Sequence, residues 1–175
     1  MRQTVLGMQG LERQFWFALQ VRSNCEKVSA AALCNRGYEE FLPFYQSRRR
    51  WSDRVKTLSL PLFPGYVFCR FAPSQRMSVL GTAGVYGIVS VGKIPAPIEE
   101  AEIAALQTVI HCRAGVEPWP FLNVGAKVRI AEGPLRGLDG ILIQTKQQHR
   151  LVLSATLLQR SVAVEVDRSW IERAA

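Results

Sequence analysis

A chain of 175 residues, 48% of them apolar and 21% charged, is long enough for one or two packed domains and excludes a disordered tail. Its formal charge is +8, carried as 14 basic against 8 acidic side chains before residue 116 and 8 against 6 from there on. The first part is therefore the stronger electrostatic match for nucleic acid or another acidic surface, although charge alone does not choose between them.

In chain order, residues 1–13 lack a steady period and read as a loose arm. Phe15–Val21 has β character. Asn24 is placed to cap a helix running to about Asn35, with Gly37 closing it and Cys25, Val28 and Ala32 on the face expected to be buried. Phe41–Tyr45, Val55–Leu60 and Gly65–Phe71 follow as strands, then a short helix opened by Pro73 and containing Met77 and Leu80. Val85–Val91 reads as another strand, ended by Gly92 and the Pro95-Ala96-Pro97 breaker. The clearest helix comes next: Glu99, Glu100 and Glu102 suit its positive N-terminal end, and Ile103, Leu106, Val109 and Ile110 form its apolar stripe.

This alternation predicts an α/β sandwich over residues 14–114. Residues 115–122, with Pro118-Trp119-Pro120, are expected to be a linker. Beyond them the texture becomes all-β, with short strands at 126–130, 140–145, 150–154 and 161–166, which predicts a small barrel over 123–175. The expected fold class is α+β.

Groups that could carry catalysis are scarce. His111 and Cys112 are neighbours on a helix, so their side chains diverge by about 100° and make a poor nucleophile–base pair. Glu39-Glu40 and Glu99-Glu100 suit a turn and a helix start better than a paired-carboxylate site. The cysteines Cys25, Cys34, Cys69 and Cys112 contain no CxxC pair, and the chain has two histidines, His111 and His149, so a closed zinc site is not expected. Reduced, mostly buried thiols are expected instead. No apolar run approaches the ~18 residues that span a bilayer, and no export signal is recognised. The expectation is a soluble, cytoplasmic, non-enzymatic protein without metal, cofactor or membrane partner.

Two segments suggest binding. Leu62-Phe63-Pro64-Gly65-Tyr66-Val67-Phe68 places three aromatics around a Pro-Gly turn, a device that fixes where large apolar side chains point. It can fill a core or line a docking pocket, and strand alternation sends Tyr66 and Phe68 to one face. Arg48-Arg49-Arg50-Trp51-Ser52-Asp53-Arg54-Val55-Lys56, between two strand patterns, reads as a long hairpin tip. Arginine pairs with phosphate and tryptophan offers a stacking face, so Arg48, Arg49, Arg50, Trp51, Arg54 and Lys56 suit nucleic acid; a solvated loop is the plainer alternative.

With these segments in order, the sequence resembles the NusG family of transcription elongation factors. The matching residues are Trp16-Phe17-Ala18-Leu19 with Glu26-Lys27-Val28, the LFPGYVF segment at 62–68, Thr82-Ala83-Gly84-Val85 leading to Ile88-Val89 with Gly92, Pro95, Pro97 and Ile98, and the KOW-like stretch Val128–Ile141. The resemblance implies an N-terminal NusG-type (NGN) domain that docks on the clamp helices of the RNA polymerase largest subunit and disfavours pausing, followed by a KOW domain with an SH3-like barrel. The positions it assigns to the docking pocket are Phe63, Tyr66 and Phe68, with Ile88 nearby. It puts the basic hairpin near upstream duplex DNA or the non-template strand. Arg50-Trp51-Ser52-Asp53-Arg54 is similar to the UpxY-type specialised paralogues. Leu158-Gln159-Arg160 stands where general NusG proteins carry an aromatic-Gly-Arg turn for the ribosomal protein NusE or Rho, which leaves Leu157, Leu158 and Arg160 as the KOW contact residues. A general NusG, or a ribosome- or RNA-binding KOW protein, are the alternatives.

Overall fold

The structure is a computed structural model and describes residues 12–50, 55–112, 115–119, 125–144, 149–155 and 158–173. Its first half is built on strands β1 (Phe15–Val21), β2 (Glu39–Phe41), β5 (Tyr66–Phe71), β6 (Val85–Ile88) and β9 (Pro97–Ile98). They form an antiparallel sheet in the order β2-β5-β1-β6, and β9 shares the second edge of β1 with β6. Strand β1 is central because both of its faces are apolar, as the run of buried residues from Trp16 to Leu19 requires.

Period-two alternation divides the sheet into two faces. Phe17, Leu19, Val67, Cys69, Phe71 and Ile88 point to one side and pack with Ala30 and Leu33 of helix α1 (Glu26–Asn35) and Val79 of helix α2 (Arg76–Leu80). Trp16, Ala18 and Phe68 point to the other, where Ile103, Leu106 and Val109 of helix α3 (Glu100–His111) cover them with Leu62, Phe63 and Ile98. Strands β3 (Phe44–Arg50) and β4 (Val55–Pro61) leave this sheet as a separate hairpin of seven paired positions. A two-residue pair, β7 (Ser90–Val91) and β8 (Ile94–Pro95), makes a second hairpin with Val91 and Ile94 exposed.

The second half contains β10 (Val116–Trp119), β11 (Ala126–Ile130), β12 (Asp139–Gln144), β13 (His149–Ala155), β14 (Arg160–Val166) and β15 (Ile171–Arg173). All pairs are antiparallel and the order is β10-β14-β13-β12-β11-β15. Val128, Ile130, Leu135, Leu151, Leu153, Val162 and Val164 are buried among these strands.

Several expectations are corrected. The α1 N-cap is Cys25, while Asn24 takes a left-handed φ of 63° one residue earlier and does not cap. The buried face of α1 is Glu26, Ser29, Ala30 and Leu33; Val28 is exposed. Small and polar residues hold that face because Ser29 donates to the Ala83 carbonyl and Glu26 reaches the turn at Gly65. The expected strand at 41–45 is broken around Leu42-Pro43, where the chain leaves one sheet for the hairpin. Residues 116–119, expected as linker, pair along β14 and extend the C-terminal sheet. Of the four cysteines, Cys69 is buried and Cys34 is exposed, with Cys25 and Cys112 between, so the thiols are not mostly buried.

Candidate functional site

The LFPGYVF segment is a turn between the hairpin and the central sheet. Gly65 has a φ of +82°, a conformation that favours glycine, and its N–H donates to Glu26 Oε1 at 2.9 Å. Glu26 is 6% exposed, so this bond to a charged acceptor is shielded from water and fixes the turn against the start of α1. This role of Glu26 is hidden in the sequence, because a carboxylate on the buried side of a helix breaks the amphipathic pattern that reveals such faces.

From that turn the three aromatics diverge in role. Phe63 and Phe68 are fully buried and meet edge-to-face at 5.4 Å, with Phe41 stacked on Phe68 at 6.0 Å. They hold the domain together. Tyr66 is half-buried at the margin of the same cluster and its ring lies beneath the Arg160 guanidinium, 5.5 Å from carbon to ring centre. Ile88 lies elsewhere: it pairs with Leu19 and is buried in the opposite core under α1 and α2. The structure therefore brings Phe63, Tyr66 and Phe68 together and separates Ile88 from them, since Leu19 and Ala18 point to opposite faces of β1.

Further along β5 a charged side chain is paired. Arg70, on the same face of β5, reaches Glu39 at 3.5 Å and Glu100 at 3.4 Å, and Glu100 also accepts the Trp16 indole N–H at 3.3 Å. This network ties β2, β5, β1 and the start of α3. On the other face, burial pushes the Cys69 thiol up to about 12, with the Glu40 and Glu39 carboxylates adding to the shift. Burial also raises the Glu40 carboxyl above its ordinary value.

The basic hairpin is present along its arms. Arg48 pairs with Thr57, Arg49 with Lys56 and Arg50 with Val55, and Arg48 and Lys56 are exposed. Seven residues per arm carry the chain roughly 20 Å from its base. That base is anchored by the Leu62 N–H to the Pro43 carbonyl at 2.8 Å and by Lys27 over the Phe44 ring at 4.8 Å. Trp51 and Arg54 lie outside the described residues, as does Leu157 in the second half. Leu158 is 9% exposed within the cluster that joins both halves, and Gln159 takes a φ of 51°, which turns the chain so that Arg160 covers Tyr66.

The two halves meet at further points. Cys112, at the end of α3, donates its thiol to the Pro134 carbonyl at 3.1 Å. Ala101, Glu102, Ala105 and Leu106 of α3 face Leu138 and Ile141 of the C-terminal sheet across a cleft of about 530 Å³. Among the described residues, no group of three His, Cys, Asp or Glu side chains could hold a metal ion. No described helix is long and apolar enough to cross a membrane.

Residues 14–107, which contain the sheet, the aromatic turn and most of α3, match the family described as "Transcription termination factor nusG". The chain belongs to the NusG family. Its NGN-type domain is followed by a KOW-like β domain, in agreement with the expected α+β class. The transcription termination/antitermination protein NusG of Helicobacter pylori strain J99 is 26% identical over 171 residues, covering 90% of this chain and 97% of that protein. The protein of the same description from Escherichia coli strain K12 is 28% identical over 144 residues, covering 78% and 75%. The solved structure titled "Domain interaction in Thermotoga maritima NusG" shares the fold, with a TM-score of 0.54 at 22% identity over 93% of this chain and 98% of that one.

Proposed function

We propose that this NusG-family chain is a non-enzymatic transcription elongation and antitermination factor that docks on the RNA polymerase clamp through the surface around Tyr66. The observation that carries the reading is the division of labour in the aromatic turn. Phe63 and Phe68 are spent on the core, while Tyr66, set by the Glu26–Gly65 bond, stands at the domain margin. A partner helix laying apolar side chains beside a rigid aromatic is a common recognition mode. The names of the relatives, termination/antitermination proteins, support the same activity class.

The hairpin extends this reading to nucleic acid. Arg48, Arg49, Arg50, Trp51, Arg54 and Lys56 are proposed to track upstream duplex DNA or the non-template strand, by phosphate contacts and base stacking. A specialised, operon-associated role is favoured by the Arg50–Arg54 sequence and by Leu158-Gln159 in place of an aromatic-Gly pair. The alternative, a general factor that engages NusE or Rho through Leu157, Leu158 and Arg160, predicts binding of either protein by the full chain.

Retention of RNA polymerase by the full chain tests the proposal. The wild type is expected to retain it and Tyr66→Ser to retain less. Failure of the wild type would remove the docking reading. Equal retention by both would move the contact away from Tyr66.

A further inference from the structure

We infer that β10 is a strap held on the C-terminal domain by an Arg150 clasp, and that this clasp sets the length of chain joining the two domains. Antiparallel register puts Arg150 of β13 opposite Glu165 of β14, and Ala163, two residues from Glu165, opposite Glu117 of β10. Residues two apart on a strand share a face, so Arg150, Glu165, Glu117 and Trp119 stand on one side of the sheet. From there the Arg150 guanidinium reaches across β14. It pairs with Glu117, lies 3.7 Å from Glu165 and covers the Trp119 ring at 5.7 Å. Its side chain is 17% exposed, so the cation is largely withdrawn from water between two carboxylates and an indole face.

The backbone of β10 holds less. It is four residues long and lies at the edge of the sheet. The Gly115 carbonyl accepts the Glu165 N–H at 3.4 Å, so alternation turns the N–H groups of Glu117 and Trp119 toward β14 and Pro118 away from it. Without Arg150, Glu117 and Glu165 would meet as like charges on neighbouring strands, which drives the strap off. The join changes length with it. While the strap is seated, two residues, 113 and 114, separate Gly115 from Cys112 at the end of α3. They span at most roughly 7 Å. With the strap released, the next strand of the domain is β11 at Ala126, and the thirteen residues 113–125 span up to roughly 45 Å. Arg150 is thus a positioning residue for the second domain.

Two readouts on the full chain test this. Hydrogen exchange at the Glu117 and Trp119 amides, followed by NMR, reports the strap. Trypsin cleavage after Arg113 reports the join, because cleavage follows the population of the open form. Arg150→Gln should speed exchange at both amides about tenfold, less than for a fully buried pair because Glu117 is half-exposed. It should also speed release of the fragment that begins at Ala114, while the Leu151 and Leu153 amides of β13 keep wild-type exchange. Arg150→Gln/Glu117→Gln, which removes the paired charges together, should return both readouts toward wild type. Glu117→Lys sets a cation against Arg150 without altering the barrel interior, and it decides the matter should Arg150→Gln fail to fold. Wild-type exchange at β10 in Arg150→Gln and Glu117→Lys would overturn the inference. So would equal acceleration at Leu151 and Leu153, which would make Arg150 a general support of the sheet. Unchanged cleavage after Arg113 with β10 released would overturn the clasp's control of the join.

Discussion

The two faces of the N-terminal sheet are closed in different ways. The Phe17–Leu19 face is sealed by α1 and α2 of the same domain, a local arrangement that leaves Val67, Cys69 and Val79 without measurable exposure. The Trp16–Phe68 face is sealed by α3, but its cluster continues into the KOW-like domain and ends at a cleft. A face covered by its own helices is a permanent core. A face whose cover belongs partly to another domain has a margin outside its own helices, and Tyr66 stands on it. Phe68 and Tyr66 are two residues apart on one strand, yet one is sealed in the core and the other lies half-buried at its margin beneath Arg160.

Perturbations rank these regions. The largest loss is expected from Phe68→Ala, about 3–5 kcal/mol in urea unfolding of the full chain, because its ring is fully buried between Phe63 and Phe41. Tyr66→Ser should cost far less stability, and a loss matching that of Phe68→Ala would erase the distinction between core and margin. Glu26→Ala removes the acceptor for Gly65 and is expected to destabilise by about 1.5–3 kcal/mol, the usual range for a bond to a charged group. Glu26→Gln, which keeps an acceptor oxygen, should retain much of that.

Gly84→Ala is expected to cost about 1–2 kcal/mol from its left-handed backbone alone, since φ is +85°. More is expected from the collision of the added Cβ with Ser29 Oγ on the α1 face. The Cys69 thiol titrates near 12 when folded, against an ordinary value of 9.0. Its contribution to stability is thus complete below about pH 9 and declines as pH rises from there toward 12, because the unfolded chain loses the proton first. Cys69→Ala should remove that part of the alkaline decline in a pH series of unfolding curves. Smallest of all, Asp139→Asn should leave the melting temperature unchanged within error. The Arg129–Asp139 pair lowers the Asp139 carboxyl through its hydrogen bond but is exposed to solvent and screened.

Much of this was legible in the sequence where period and burial coincide. The strand at Phe15–Val21 stands where its apolar run puts it and that at Ala126–Ile130 near its expected 126–130, and α3 follows its stripe of Ile103, Leu106 and Val109. Legibility ended where polar groups do structural work. Val28 is apolar and exposed while Glu26 is charged and buried, because the carboxylate serves a turn 39 residues away. The Pro118–Trp119 segment reads as a linker, yet it pairs at a sheet edge, where a missing N–H is tolerated. The family resemblance places Ile88 near the aromatic turn, whereas its pairing with Leu19 puts it under the opposite helices. The cover on Tyr66 depends on Arg160, 94 positions away, which no local pattern encodes.

On the proposed function, Tyr66 is the member of the aromatic turn at the domain margin that meets polymerase. The decisive measurement is the polymerase affinity of Arg160→Glu compared with the double variant Tyr66→Ser/Arg160→Glu, both free of the Arg160 side chain that lies over the ring. A weakening of about 30-fold in the double variant, the size of an interface hot spot near 2 kcal/mol, is the predicted result. Equal affinity would contradict the claim.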